Sequence, residues 1–306
     1  MSDSRPRPFA LVPRRRFRGT HPGALRTPER GGGDEAAGSR PYRPGDRIGW
    51  IDWGASARLS AARGEDELVV REFFAERAPR VMLVCDRRPS LGIYRQPLPW
   101  LDKPAAIAGI VELVAASARA AHGDVGLAAA AASGPFFVPP GRVPSSGWLR
   151  ERAAGPADAP PGALARTLEL LVRRRTALPL GTFVFVVSDF LEPVPSRLWA
   201  RLGGLGWDVT PVLVQDPLWE QSFPRIGGVL VPFAAPDDGR ATDVWLGRRR
   251  AEAQAAANER RLEESITRFR RLGFDPVVVG TSDRDELARL FHAWAARRRA
   301  LRRRWA

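Results

Sequence analysis

The chain has 306 residues, 44% of them hydrophobic, which is enough for a sizeable core in one or two domains and excludes a fully disordered protein. The formal net charge of +14 is carried almost wholly by arginine, because Lys103 is the only lysine. We find no apolar run of transmembrane length and no signal-peptide pattern. With Cys85 as the only cysteine, no intramolecular disulfide can form, and we expect a cytoplasmic protein.

The first 37 residues are rich in Arg, Pro and Gly and are predicted to be a flexible lead-in. Arginine triplets occur at 14–16, 248–250, 297–299 and 302–304, the last within a predicted basic tail at 301–306. Such clusters attract nucleic acid, anionic membranes or acidic proteins. A solvated face, a frayed tail or a genome-wide bias toward arginine is the simpler explanation.

Residues 38–77 form the most distinctive stretch and are predicted to be a small β-rich region. They contain the motifs R-x-Y-x-P-G-D, I-D-W, S-A-R and V-R-E, in that order. The Pro-Gly-Asp step is a tight-turn signal, and the region combines large apolar residues with complementary charges. We take its charged residues as candidates for protein binding, although their ion pairs could simply pin loops together: Arg43, Asp46, Asp52, Arg58 and Arg71.

Beyond residue 78, strand-like and helix-like segments alternate, which predicts an α/β domain with a mostly parallel sheet over residues 78–300. Residues 139–162 are rich in Pro, Gly and Ala and are predicted to be a long surface connection. Residues 224–246 are predicted to be a two-strand excursion. The other predicted elements are strands at 81–85, 125–131, 136–138, 182–188, 207–215 and 274–280, and helices at 102–121, 164–171, 195–202, 249–272 and from 283 onward.

Two of the predicted strands are each followed by an aspartate. Asp86 follows the first apolar run and Asp189 follows the run at 182–188. Because the carboxyl ends of parallel strands lie at one edge of a sheet, these carboxylates could form an acidic site. Each aspartate could instead be only a helix cap or a solvated loop residue.

Common catalytic motifs are missing from the sequence. Lys103 is followed by Pro104, which excludes a P-loop, and neither G-x-G-x-x-G after the first strand nor G-x-S-x-G is present. Arg88 occupies the position where a haloacid-type phosphatase needs its second aspartate. The three histidines are far apart in sequence, and no zinc-ligand spacing occurs. We therefore expect a protein that is not an enzyme.

The motif order in residues 38–77, leading into a strand that ends at Asp86, resembles the bacterial domain-of-unknown-function family 58. The resemblance extends over roughly residues 38–295. It implies that the α/β domain is a von Willebrand factor A-like three-layer sandwich. It also implies an adaptor role, because such proteins are typically partners of MoxR-type AAA+ ATPases in the maturation or remodelling of protein complexes. The alternative that we keep is a binder of nucleic acid or anionic surfaces through the arginine clusters.

Von Willebrand A domains carry a metal site with the pattern D-x-S-x-S, a threonine and a further aspartate, whose oxygens suit a hard cation. Here Asp86, Ser90 and Asp189 match that pattern, but Arg88 replaces the middle serine and no threonine is evident before Leu164. A guanidinium stays charged and would compete for the same carboxylates. We expect no cofactor, or weakly bound Mg²⁺ or Mn²⁺, with Arg88 in place of the ion. Otherwise Arg88 points to solvent beside a weak, water-filled site.

Overall fold

The computed structural model describes residues 7–14, 36–46, 48–73, 78–92, 100–141, 146–234 and 241–303. The chain divides into two compact units: a smaller unit within residues 16–78, and a larger unit formed by the residues up to 15 and from 79 onward. Most of the predicted lead-in, residues 235–240 of the predicted excursion and the last three residues of the predicted tail lie outside the described residues.

The smaller unit contains a helix that the sequence analysis did not predict. Strands β1 (Ala36–Pro41) and β2 (Val69–Phe73) pair antiparallel, and α1 (Trp53–Arg63) lies between them in sequence. The side chain of Asp52 caps α1 by accepting a hydrogen bond from Ala55 N at 3.0 Å. Because α1 buries only Ser56, it carries no apolar stripe from which it could have been predicted.

The larger unit is built on a mixed sheet in which the order of strands is β10-β7-β6-β3-β4-β5. Every neighbouring pair is parallel except β4 and β5. Because the chain adds strands outward in both directions from β3, a topological switch point lies between β3 and β6. The strands are β3 (Arg80–Cys85), β4 (Asp124–Ala131), β5 (Gly134–Gly141), β6 (Phe183–Ser188), β7 (Asp208–Val214) and β10 (Val277–Val279).

Helices cover both faces of this sheet, which confirms the predicted α/β class. Alternate residues of β3 point to opposite faces: Leu83 packs in the core on the side of α2 and α7, and Val84 packs on the side of α4 and α5. The predicted excursion is the antiparallel pair β8 (Val229–Ala234) and β9 (Ala241–Leu246). The helices are α2 (Lys103–Ala120), α3 (Ser146–Ala153), α4 (Ala163–Arg173), α5 (Ser196–Gly204), α6 (Arg248–Arg271) and α7 (Arg284–Arg303).

The prediction of a long surface connection at 139–162 is wrong in part. Strand β5 continues through Pro139 and Pro140 to Gly141, because an edge strand tolerates residues that lack an N–H donor. Helix α3 follows, and its Leu149 and Ala153 are buried in the core on the α2 side of the sheet. The high Pro and Gly content is the reason that neither element was predicted from the sequence.

Residues 7–14 depart from the predicted flexible lead-in, because Phe9 and Val12 are buried in the larger unit. The Phe9 ring contacts Phe185, Phe291 and Trp294, with ring centroids between 5.0 and 6.4 Å apart. The guanidinium of Arg298, on α7, donates to Val12 O at 3.1 Å. Because α7 extends to Arg303, the predicted tail at 301–306 also begins inside a helix.

We predict that Phe9→Ala lowers the free energy of unfolding of the larger unit by about 3–5 kcal/mol, since it removes a ring from an aromatic cluster. Urea titration followed by fluorescence measures this loss. Leu180→Ala is the control, because Leu180 is 63% exposed and its truncation should change stability by less than about 0.5 kcal/mol. Equal effects of the two substitutions would show that Phe9 is not docked in the core.

Candidate functional site

The candidate site lies at the carboxyl edge of the sheet, where β3 and β6 end side by side. Asp86 directly follows β3 and Asp189 directly follows β6, and both side chains are fully buried. The backbone N of Asp86 donates to Val187 O at 2.9 Å, which continues the strand pairing up to the first carboxylate. The structure thus brings together the two aspartates that the sequence analysis singled out.

Arg88 bridges the two aspartates. Its Nε lies 3.0 Å from Asp86 Oδ2, and its Nη2 lies 2.8 Å from Asp189 Oδ1. Its Nη1 lies 3.2 Å from Glu192 Oε2, at the rim of the site. The Arg88 side chain is 5% exposed, whereas that of Glu192 is 33% exposed. The alternative in which Arg88 points to solvent is therefore wrong.

A second buried cation, Lys103, lies at the same edge and was not recognised as part of the site from the sequence. It is the first residue of α2, and its ammonium lies 2.5 Å from Glu220 Oε1 and 3.5 Å from Asp189 Oδ2. It also donates to Ser90 O at 3.2 Å. The one usable signal in the sequence was that this residue is the only lysine of an arginine-rich chain.

Other side chains and backbone groups complete the network. Ser188 Oγ donates to Asp86 Oδ2 at 2.6 Å, and Leu191 N donates to Asp189 Oδ1 at 3.1 Å. Gln215, which follows β7, donates from Nε2 to Asp189 O at 2.6 Å. The site therefore draws on the loops after β3, β6 and β7.

The pKa values of the buried carboxyls are shifted in different directions. Burial raises the pKa of Asp86, although Arg88 opposes this shift. Burial also disfavours ionisation of Asp189, but Lys103 and Arg88 outweigh it and lower the pKa of that carboxyl. Burial raises the pKa of Glu220, and Lys103 opposes this shift. The two cations thus decide which carboxyl stays readily ionised.

The residues of this edge do not fit a divalent cation while Arg88 is present. Both oxygens of Asp86 accept hydrogen bonds from Arg88, from its backbone N and from its Nε. Within the described residues, no group of three or more His, Cys, Asp or Glu side chains could hold a metal ion. Thr167, in α4, donates its hydroxyl to Ala163 O, in the same helix, at 2.9 Å.

The charged candidates of the smaller unit mostly stabilise its own fold. Asp46 accepts two hydrogen bonds of 2.7 Å from the Arg40 guanidinium and one of 2.8 Å from Arg43 N. Arg71 Nε lies 2.9 Å from Asp52 Oδ2, and this hydrogen bond lowers the pKa of Asp52. The side chains of Arg43 and Arg58 are exposed, so these two remain available to a partner.

Not all arginines of the triplets contribute to an exposed basic surface. Arg298, from the triplet at 297–299, is buried, and its Nη1 lies 2.9 Å from Asp208 Oδ1 at the amino end of β7. Arg248 is exposed and pairs with Glu252 on α6. Among the described helices, none is long and apolar enough to cross a membrane.

We predict that Arg88→Met lowers the free energy of unfolding by roughly 3–5 kcal/mol at pH 7, because it leaves two buried carboxylates without their shared counter-charge. Removing the cation raises the folded-state pKa of Asp86 further above that in the unfolded chain, because burial then acts on this carboxyl without the opposing charge of Arg88. Protonation then favours the folded state, so the loss should be smaller at pH 5 than at pH 7. Urea titrations at both pH values measure the difference.

The matched control is Arg248→Met, which removes an arginine from an ion pair in which both side chains are largely exposed. Its cost should stay within about 1 kcal/mol and vary little with pH. If Arg88→Met behaved like this control, the buried network would contribute nothing to stability.

Comparison with known proteins finds relatives of similar length. The chain is 29% identical over 272 residues to the uncharacterized protein Rv1480 of Mycobacterium tuberculosis and to Mb1516 of Mycobacterium bovis, covering 88% of this chain and 81% of each relative.

Solved structures with partial likeness include an aerotolerance-related membrane protein of Bacteroides fragilis, at a TM-score of 0.39 and 15% identity, covering 69% of this chain and 96% of that chain. Another is BatB of Bacteroides thetaiotaomicron, at a TM-score of 0.36 and 13% identity, covering 72% of this chain and 99% of that chain. The model of the family described as "Protein of unknown function DUF58" matches residues 38–264, and the chain therefore belongs to this family.

Proposed function

We propose that this protein is a non-enzymatic interaction module that docks a partner protein at the carboxyl edge of its sheet. The observation that carries the proposal is the buried Asp86–Arg88–Asp189 network at the topological switch point. Its charges are paired inside the protein, so it holds the surrounding loops in one arrangement without a bound ion. A rigid edge with exposed loops suits recognition of a partner.

Burial of the acidic groups supports binding rather than catalysis. The side chains of Asp86 and Asp189 are fully buried beneath Arg88, so a substrate has no access to their oxygens. A general acid or base must lie within hydrogen-bond reach of the proton that it transfers. The accessible parts of this edge are instead loop residues such as Glu192, which is partly exposed, and Leu218, which is exposed.

We propose further that the larger unit is a von Willebrand factor A-like domain with a degenerate metal-ion-dependent adhesion site, and that its partner is a MoxR-type AAA+ ATPase. The strand order with β3 at its centre, the antiparallel edge strand β5, and the positions of Asp86, Ser90 and Asp189 support the first part. The family membership and the motifs of residues 38–77 support the second. The exposed Arg43 and Arg58 are a second candidate contact surface, on the smaller unit.

We expect the wild-type protein to show no micromolar binding of Mg²⁺ or Mn²⁺ in titration calorimetry, because Arg88 occupies the carboxylates that an ion would need. Metal-free buffer and a chelator wash before titration remove carried-over ions. Micromolar binding that is abolished by Asp86→Ala would contradict the metal-independent site.

Leu218→Glu should reduce capture of an AAA+ ATPase from a lysate of the native host by at least about tenfold, since it places a charge on the proposed docking edge. Leu218 follows β7 at this edge and is 40% exposed. Leu180→Glu is the matched control, because Leu180 precedes β6 at the opposite edge and is also exposed. Mass spectrometry of the proteins captured by each bait gives the comparison.

Loss of the ATPase with Leu218→Glu and retention with Leu180→Glu would support docking at the carboxyl edge. Equal capture by both variants would rule out this edge, and recovery of nucleic acid alone would favour the arginine-cluster alternative. Circular dichroism of each bait confirms that folding is unchanged.

A further inference from the structure

Asp189 is shared between two cations, one at each of its oxygens. Arg88 Nη2 contacts Oδ1 at 2.8 Å, and Lys103 Nζ lies 3.5 Å from Oδ2. Arg88 also binds Asp86, and Lys103 also binds Glu220. We infer that Arg88 and Lys103 together take the place of a single divalent cation, so that both side chains, and not Arg88 alone, keep this edge free of metal.

The ammonium of Lys103 makes the kind of contacts that a small bound cation would make. Its ammonium is fully buried and contacts oxygens from three different loops: Ser90 O after β3, Asp189 Oδ2 after β6 and Glu220 Oε1 after β7. A lysine ammonium is a compact point charge with three donors, whereas a guanidinium is a planar fork. This difference gives a physical reason for one lysine in a chain whose other basic residues are all arginine.

The charges of the network are consistent with this substitution. Three buried carboxylates, on Asp86, Asp189 and Glu220, face the two buried cations, and the charge of the partly buried Arg261 also acts on Glu220 and Asp189. One divalent ion would supply the same positive charge as the two side chains. Ser90 Oγ is also buried, and its hydrogen bond helps to lower the pKa of Asp189, so one further hard oxygen lies beside the shared carboxylate.

Either cation alone should prevent a divalent metal ion from binding at this edge. Arg88→Ser would complete the D-x-S-x-S pattern with Asp86 and Ser90, but Lys103 would still compete for Asp189. Lys103→Met would free Asp189 Oδ2, but the guanidinium would still hold Asp86 and the other oxygen of Asp189. Only removal of both cations leaves the buried carboxylates in need of an external positive charge.

The test compares wild type, Arg88→Ser, Lys103→Met and the double variant in titration calorimetry with Mn²⁺ and in thermal unfolding with and without Mn²⁺. We expect the double variant to bind Mn²⁺ at least about tenfold more tightly than either single variant. At a Mn²⁺ concentration of about 100 times its Kd, its unfolding midpoint should rise by roughly 5–10 °C. The wild-type midpoint should not move.

Asp189→Asn in the double-variant background is the control, and it should abolish Mn²⁺ binding because it removes the carboxylate shared by both cations. A double variant that is unfolded in chelator but folds when Mn²⁺ is added would also support the inference. The inference would be overturned by a double variant that shows no binding of Mn²⁺, or by one that stays unfolded when Mn²⁺ is added. It would equally be overturned if Arg88→Ser alone bound Mn²⁺ as tightly as the double variant, or if the wild type bound it at micromolar concentration.

The inference rests on the metal-independent edge of the proposed function, but the two can fail separately. Cation binding by the variants is measured on the purified protein without a partner. Failure to capture an ATPase would therefore leave this inference standing. Failure of the double variant to bind Mn²⁺ would contradict the role inferred for Lys103. It would leave the proposed docking surface unaffected.

Discussion

The pairing of buried charges at the switch point is the constraint on which the carboxyl edge depends. A carboxylate in a protein interior is costly unless a counter-charge and hydrogen bonds compensate it. Asp86 and Asp189 are both fully buried, and Arg88 supplies hydrogen bonds to both of them. The loops after β3 and β6 can therefore adopt this arrangement only with the guanidinium between them.

The opposite edge of the sheet uses the same device for a different purpose. Arg298 is buried between Asp208 and Asp275, with its guanidinium 2.9 Å and 3.2 Å from their carboxylates. It also binds Val12 O and so fixes residues 7–14 on the larger unit. At that edge the buried arginine attaches a chain segment, whereas Arg88 fills the space between two strand ends. A buried arginine can thus be part of the fold itself, and an arginine-rich sequence does not by itself indicate a nucleic-acid binder.

These observations give the proposed docking function a physical basis. Arg88 and Lys103 are covalently attached cations, so in our proposal the edge does not depend on the concentration of a metal. Glu192 is the member of the network with the most exposed side chain, and its contact with Arg88 connects the buried charges to the surface. A partner would therefore meet a preformed surface, which reduces the entropy lost on binding.

The sequence by itself determined the α/β class, the two strands that are each followed by an aspartate, the position of Arg88 two residues after Asp86, and the family membership. These features depend on local periodicity and short motifs, which can be read along the chain. The tertiary structure alone decided that Lys103, Glu220 and Ser188 join the site and that Phe9 enters the core. The reason is distance along the chain: Lys103 meets Glu220 across 117 residues, and Ser188 meets Asp86 across 102. No local pattern encodes such contacts, because folding of the whole sheet brings the loops together.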